Sequence, residues 1–217
     1  MAAADTAHLT DWLRRFASAV AEQERHLTEL DQAIGDADHG SNMRRGTAAV
    51  VAALDDPASA DLSSTSVGAV FTQTGMTLVK SVGGASGPLY GTFMLRFGSS
   101  AGATQELDAA GLGAALRAGL QGVVARGKAE LGDKTMLDVL SPALDAYDAA
   151  VVGGGDAAAA AAAAADAAPG LREATAPLVA RKGRASYLGE RSVGHVDPGS
   201  ASITLLLQAL ADALAQQ

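Results

Sequence analysis

The chain has 217 residues, a formal net charge of −8 and 48% hydrophobic residues, with aromatics only 4% of the total. That length suits one domain or one and a half, and the core must be built mainly from Leu, Val and Ala. The acidic balance argues against nucleic acid or an anionic membrane surface as the main partner, and the absence of cysteine removes disulfides, thiolate catalysis and Cys-zinc sites together.

The apolar spacing is helical almost throughout. Leu9, Trp12, Leu13, Phe16 and Val20 follow the i, i+3, i+4, i+7 pattern of one face, and the first helix is predicted over about 7–30. Breakers then divide the chain into further helices at about 42–54, 66–82, 88–99, 109–126, 135–150, 156–181 and 199–215. Val67, Val70, Phe71, Leu78 and Val82 mark the third face. Met136, Val139, Leu140, Leu144 and Tyr147 mark the sixth, and Ile203, Leu206, Leu207, Leu210 and Leu214 the eighth. Asp156 is placed to cap the polyalanine helix, whose low complexity carries no functional message. Asp197-Pro198 reads as an N-cap with proline in the first helical position. No stretch alternates strictly between turn signals, so no strand is predicted. The expectation is an all-α, up-and-down bundle of eight helices.

No basic segment followed by an apolar core opens the chain, so no secretory signal is expected. The run Ala157 to Ala165 is too short and too weakly apolar to span a bilayer. The expected setting is soluble and cytoplasmic, away from membrane and nucleic acid.

If consecutive helices alternate in direction, as short loops favour, the odd-numbered connections share one end. Those are 31–41, 83–88, 127–135 and 182–197, and they hold nearly all the chemically distinctive residues. The even ones, around 55–65, 100–108 and 151–155, are Ala/Ser/Asp/Gly filler. One end of the bundle is therefore the expected active face. Asp31, Asp36 and Asp38 sit there among glycines. Carboxylates so close repel unless a cation or protons intervene, and oxygen ligands suit Mg²⁺, which keeps room for water and phosphates. The same stretch also reads as an Asp/Gly turn after a helix. Gly83-Gly84-Ala85-Ser86-Gly87 allows close backbone approach before a helix start, which favours an anion or serves as a hinge. Arg184 and Arg191 are candidates for phosphate oxygens, or are solvated loop cations. Lys134 and Thr135 read equally as a plain helix start. His39 and His195 are candidates to orient a carboxylate or phosphate, whereas His8 and His26 fall on the first helix without a chemical role. Gly122 to Ala129 approaches the G-x-x-x-x-G-K pattern but ends in Ala and follows a helix, so it is not a P-loop.

These residues resemble the L subunit of dihydroxyacetone kinase, the nucleotide-binding subunit that also forms the C-terminal domain of single-chain ATP-dependent kinases. The likeness is carried by Gly35-Asp36-Ala37-Asp38-His39-Gly40, Thr74-Gly75-Met76-Thr77-Leu78, Ser81 to Thr92, Arg126-Gly127-Lys128-Ala129-Glu130, Gly132-Asp133-Lys134-Thr135-Met136 and Arg181 to Ser192. It spans essentially the whole chain and implies one nucleotide-binding domain over residues 1–217, an eight-helix antiparallel barrel with nucleotide and Mg²⁺ at one end. By the resemblance, Asp31, Asp36 and Asp38 are Mg²⁺ ligands and, with Arg184, the catalytic set. His39, Gly40, Ser41, Asn42, Ala85 and Ser86 would line the phosphates, Gly127 and Met136 the base and sugar, and Arg184 and Asp197-Pro198-Gly199 the remaining nucleotide contacts.

The resemblance implies phosphoryl transfer from Mg-bound ATP to dihydroxyacetone held by a separate K subunit. In the phosphotransferase-linked version, bound ADP is rephosphorylated in place by a phosphohistidine-carrying M subunit. A homodimer is also allowed. Alternatives are a kinase subunit using ATP as an exchanging substrate for another small acceptor, or a metal-dependent phosphohydrolase with His39 as the water-activating group.

Overall fold

Short residues on facing helices let backbones approach closely, and this chain uses Ala and Gly for that purpose throughout. The computed structural model describes residues 3–56 and 66–215; most of the connection expected at 55–65 lies outside the described residues. The helices are α1 (Thr6–Glu22), α2 (Glu24–Ile34), α3 (His39–Leu54), α4 (Val67–Ser81), α5 (Ser86–Ala101), α6 (Ala109–Gly127), α7 (Leu137–Val152), α8 (Ala157–Glu173) and α9 (Pro198–Leu214). Each of α3 to α8 packs on its successor, α1 packs on α3, and α9 returns to α1, so the ring closes as an all-helical barrel. Trp12, Phe71 and Phe97 fill its middle, with ring centroids 4.2–5.6 Å apart. The Trp12 indole N–H donates to the Leu206 carbonyl at 2.8 Å, tying α1 to α9 where the barrel closes. Among the described residues no helix is long and apolar enough to cross a membrane.

Three expectations needed correction. The first predicted helix is two, broken at Gln23 (φ −99°, ψ 7°). No Gly or Pro marks the break, and the apolar spacing runs straight through it from Val20 to Leu27. The bend turns α2 off the line of α1, so that it packs on α3 and α9 with Asp31 at its C-terminal end. The seventh helix stops at Glu173 rather than near 181. Pro177 disfavours helical backbone at Ala176, and the carbonyls of Thr175, Ala176 and Leu178 are claimed by the Lys134 ammonium. Beyond them lies a 3-10 stretch, Arg184–Ser192, kinked at Gly189. Third, Ala4–Asp5 pairs antiparallel with Glu106–Leu107, Ala4 facing Leu107. Two residues per strand are too few for alternation to show in sequence.

The alanine run has a plain packing use. Ala157, Ala160, Ala161, Ala164, Ala165 and Ala168 are all buried, on the face that α8 presents to α7 and α9. Glycine does the same between α4 and α5. A Cβ on Gly68 would stand 2.3 Å from the Gly102 carbonyl oxygen and 2.7 Å from that of Gly98. Neither backbone atom can move without parting the helices. Gly68→Val should therefore cost roughly 1–3 kcal/mol as an overpacked contact, read as a lowered urea midpoint with unchanged m-value.

Candidate nucleotide site

The helix starts at the two ends of the barrel are finished differently. At the end away from the distinctive loops, α1, α4, α6 and α8 each receive a side-chain N-cap, from Asp5, Ser66, Asp108 and Asp156. At the other end α3, α5 and α7 have none, and only α9 is capped in this way, by Asp197. Asp31 accepts the His39 N–H at the start of α3 and Thr135 Oγ1 the Leu137 N–H at the start of α7, while the positive ends of the helix dipoles at these starts still favour an anion. Between these starts lies a cleft of about 400 Å³, within the usual size for a small-molecule site.

Asp31, on the last turn of α2, forms one wall. One of its carboxylate oxygens accepts the N–H groups of Asp38 (2.8 Å) and His39 (3.1 Å), doing for α3 what its own N-cap residue does not. The loop between is pinched back so far that a Cβ on Gly35 would stand 2.0 Å from the other Asp31 oxygen, and Ala37 takes a left-handed φ of 62°. The pinch brings Asp36 and Asp38 to Asp31, with one carboxylate oxygen from each within 4.8 Å of the others. Asp36 also pairs with the Arg184 guanidinium at 3.0 Å. The donor set fits a hard divalent cation: three monodentate carboxylates leave the remaining positions of an octahedron for water and phosphate.

Behind the aspartates, His39 is buried and its ring is fully engaged. Nε2 lies 2.9 Å from Ser202 Oγ, Nδ1 lies 3.1 Å from Ser86 Oγ, and Tyr90 OH lies 2.7 Å from Ser202 Oγ. Ser202 Oγ also lies 3.1 Å from the Gly199 carbonyl, to which it can donate; with its proton there, Tyr90 and His39 Nε2–H are the donors to Ser202. His39 Nδ1 then accepts from Ser86. Burial pulls the His39 pKa down, against the opposing pull of Asp31 and Asp38, which keeps the ring neutral as this pattern requires. Burial pushes the Tyr90 pKa up, so its proton stays in place.

Ala85 and Ser86 line the cleft at the start of α5, reached through Gly84 at φ 63°. Apolar side chains also line the cleft: Ile34 beside Asp31 on α2, and Leu89, Val123, Val124 and Met136, with Gly127 at the end of α6. Asp197, Pro198 and Gly199 close the floor, and Arg184 reaches the rim from the 3-10 stretch.

The structure thus gathers Asp31, Asp36, Asp38, His39, Ala85, Ser86, Gly127, Met136, Arg184, Asp197, Pro198 and Gly199 around one cleft. Gly40, Ser41 and Asn42 do not line it. Helix α3 begins at His39, three residues earlier than predicted, and carries them into its first turn. There Gly40 packs on the Glu24 carbonyl, exposed Ser41 bonds to the Asp38 carbonyl, and Asn42 is held by Arg45 at 2.6 Å. His195 and Arg191 are exposed and stand apart from the cleft lining. Tyr90, Ser202 and buried Lys134 were missed. Only a helical register that places Tyr90 and Ser202 on one interior face would have revealed the first two, and Lys134 carried no local signal beyond its motif.

Residues 33–212 match the DAK2 domain. The chain belongs to the DAK2 domain family. It is 45% identical over 203 residues to the ADP-binding subunit DhaL of the PEP-dependent dihydroxyacetone kinase of Escherichia coli K12, covering 94% of each chain. A second relative, the ADP-binding subunit DhaL of PEP-dependent dihydroxyacetone kinase 1 of Listeria innocua, is 44% identical over 92% of each. The dihydroxyacetone kinase of C. freundii, solved in complex with AMP-PNP and Mg²⁺, superposes with a TM-score of 0.69 at 26% identity. That alignment covers 94% of this chain and 33% of the C. freundii chain, so this chain spans about a third of that longer one.

Asp197 gives the site a measurable pH signature. Burial pushes its pKa up to about 7 from an ordinary value of 3.8, against the lowering effect of the Ser200 hydrogen bonds. Between those two values the folded protein holds a proton that the unfolded chain has lost, so stability falls as pH rises across the window, by about 1.4 kcal/mol for each unit crossed. Urea midpoints at pH 5 and pH 8 should therefore drop more in the parent than in Asp197→Asn, which keeps a capping oxygen without the charge; equal drops would contradict this placement of the proton.

Proposed function

We propose that this chain is the nucleotide-bearing subunit of a dihydroxyacetone kinase, presenting the terminal phosphoryl group of ATP to dihydroxyacetone held on a separate K subunit. The observation that carries the reading is the convergence on one cleft of three carboxylates, three helix starts that lack an N-cap side chain of their own, and an apolar lining. A nucleoside polyphosphate matches that division, with its base against Leu89, Val123 and Met136 and its phosphates toward the aspartates. The DhaL names of the relatives agree with it.

In this reading Asp31, Asp36 and Asp38 hold Mg²⁺, which neutralises phosphate charge when bound. The start of α5 at Ala85 and Ser86 offers backbone N–H groups to phosphate oxygens. The Ser86 hydroxyl proton is committed to His39, so this residue contributes its amide rather than its side chain. His39 lines the same wall, with Gly40, Ser41 and Asn42 on the turn behind it. Gly127 and Met136 border the base and sugar, and Asp197, Pro198 and Gly199 the floor. Among the described residues Arg184 is the one cation on the rim paired with the cluster, and its guanidinium can shift from Asp36 to a transferring phosphate. Phosphoryl transfer asks chiefly for such positioning and charge compensation, and no covalent nucleophile is needed here. The donor that recharges ADP in place is a phosphohistidine-carrying M subunit, the localisation is cytoplasmic, and residues 1–217 act as one domain.

A phosphohydrolase would need a group free to activate water beside the metal. His39 was the candidate, and both of its ring nitrogens are already bonded inside the fold.

Asp36→Ala should abolish Mg²⁺-dependent ADP binding by calorimetry while helicity by circular dichroism is unchanged, since Asp36 makes no contact that the barrel needs. The chain alone should turn over negligibly and gain activity with a K-type subunit; rapid ATP hydrolysis by the isolated chain would refute the kinase reading.

A further inference from the structure

Lys134 is 1% exposed and enters from left-handed backbone at φ 62°. Its ammonium donates to the carbonyls of Thr175 (2.9 Å), Ala176 (3.1 Å), Leu178 (3.0 Å) and Ser192 (2.8 Å). Three protons serve four acceptors, so none is left to point into the cleft. Burial lowers its pKa and the field of Asp197 opposes that, so the ammonium is held chiefly by carbonyl dipoles. Burying such a group is costly, and what the arrangement delivers is geometry.

The four carbonyls come from the two ends of one segment. Thr175, Ala176 and Leu178 precede the 3-10 stretch, and Ser192 ends it. Other bonds gather at the same root. The Ala180 N–H donates to Ser192 Oγ (2.9 Å), Ser192 Oγ donates to the Gly189 carbonyl (2.6 Å), and the Gly194 N–H donates to the Ala176 carbonyl (2.8 Å). The Arg181 N–H reaches the Asp133 carbonyl (3.0 Å), and the Asp197 N–H reaches Thr175 Oγ (3.1 Å). From Arg181 to Arg191 every residue is partly or wholly exposed, and that span carries Lys182, Gly183 and Arg184 to the cleft. On its other side Lys134 adjoins Thr135 and Met136, and the Thr135 carbonyl accepts from Ser200 of α9 at 2.9 Å.

We propose that Lys134 is a positioning residue: its ammonium fastens both ends of the segment 175–192, so that Arg184 is held over the aspartate cluster, and it does not itself touch phosphate. The assignment rests on the nucleotide-site reading above for the role of Arg184, but the fastening is a property of the fold alone. Arg184 is 64% exposed in its side chain and has Asp36 as its ion-pair partner. An exposed pair of this kind is too weak to fix a loop, so the constraint comes from the root.

The segment contains its own reporters, since trypsin cuts after Arg181, Lys182, Arg184 and Arg191. In the full chain, Lys134→Met should speed cleavage at these sites by roughly tenfold or more through local opening, with cleavage in α1 and α2 unchanged. With the K-type subunit, kcat should fall roughly 100-fold, the scale expected when a remote change misplaces a reacting group, while the Mg-ADP dissociation constant moves by less than about threefold. Adding Arg184→Ala to Lys134→Met should cost little more than Arg184→Ala alone, because both remove the same contribution. Parent-like cleavage in Lys134→Met would overturn the proposal. Loss of Mg-ADP binding with the segment still protected would overturn it too, and make the lysine a phosphate ligand. If Lys134→Met does not fold, Lys134→Gln leaves two N–H donors in place of three and buries no charge. It should give the same pattern at smaller amplitude, and unchanged cleavage would again overturn the proposal. If the parent shows no transfer with the K-type subunit, the kinase reading fails and the cleavage comparison still decides the fastening.

Discussion

One carboxylate oxygen of Asp31 holds the functional end of this molecule in shape. By accepting two successive N–H groups at the start of α3 it folds the Gly35–Asp38 loop back on α2. That fold alone brings Asp36 and Asp38 alongside. The same residue thus closes a helix start and supplies a ligand oxygen to the cluster. Three negative charges gathered by hydrogen bonds within the loop are unfavourable by themselves. Arg184, paired with Asp36 at 3.0 Å, offsets part of that repulsion, and a divalent cation held there would offset more. Binding and local stability are linked at this loop.

The asymmetry of the helix starts extends the same logic to the whole barrel. Far from the cleft each start is finished by its own Asp or Ser, so that end is self-sufficient. Near the cleft the starts of α3, α5 and α7 depend on groups from elsewhere or remain open. Local stability is given up at the end where an anion can restore it. The Tyr90–Ser202–His39–Ser86 chain works in the same direction. It crosses from α9 through the interior to α3 and α5, and it locks two of the cleft's walls to each other without presenting a free base to solvent.

Much of this was legible in the sequence, because helical faces repeat at short range and the odd connections concentrated the unusual residues. The cleft gathers residues from all four of those connections. What the sequence withheld is long-range. The bend at Gln23 has no breaker, since its cause is the packing of α2 on α3 and α9. The end of α8 depends on an ammonium from a loop some 40 residues earlier in the chain (|i−j| 41 for Lys134 and Thr175). The pairing of Ala4–Asp5 with Glu106–Leu107 joins distant segments too short to show a period. The phosphate-lining role of Gly40, Ser41 and Asn42 came from the resemblance alone, and the start of α3 at His39, earlier than the helical spacing indicated, puts all three in its first turn.

The alanine helix, whose low complexity carried no functional message in the sequence, sets a dimension. A wall lined by methyl groups lets neighbouring helices pack close, and α8 is the stave that leads directly into the segment bearing Arg184. Barrel girth and the seat of that arginine therefore share one gauge. Any bulkier side chain at Ala161 or Ala164 would widen the ring there first and carry the arginine's mounting outward with it.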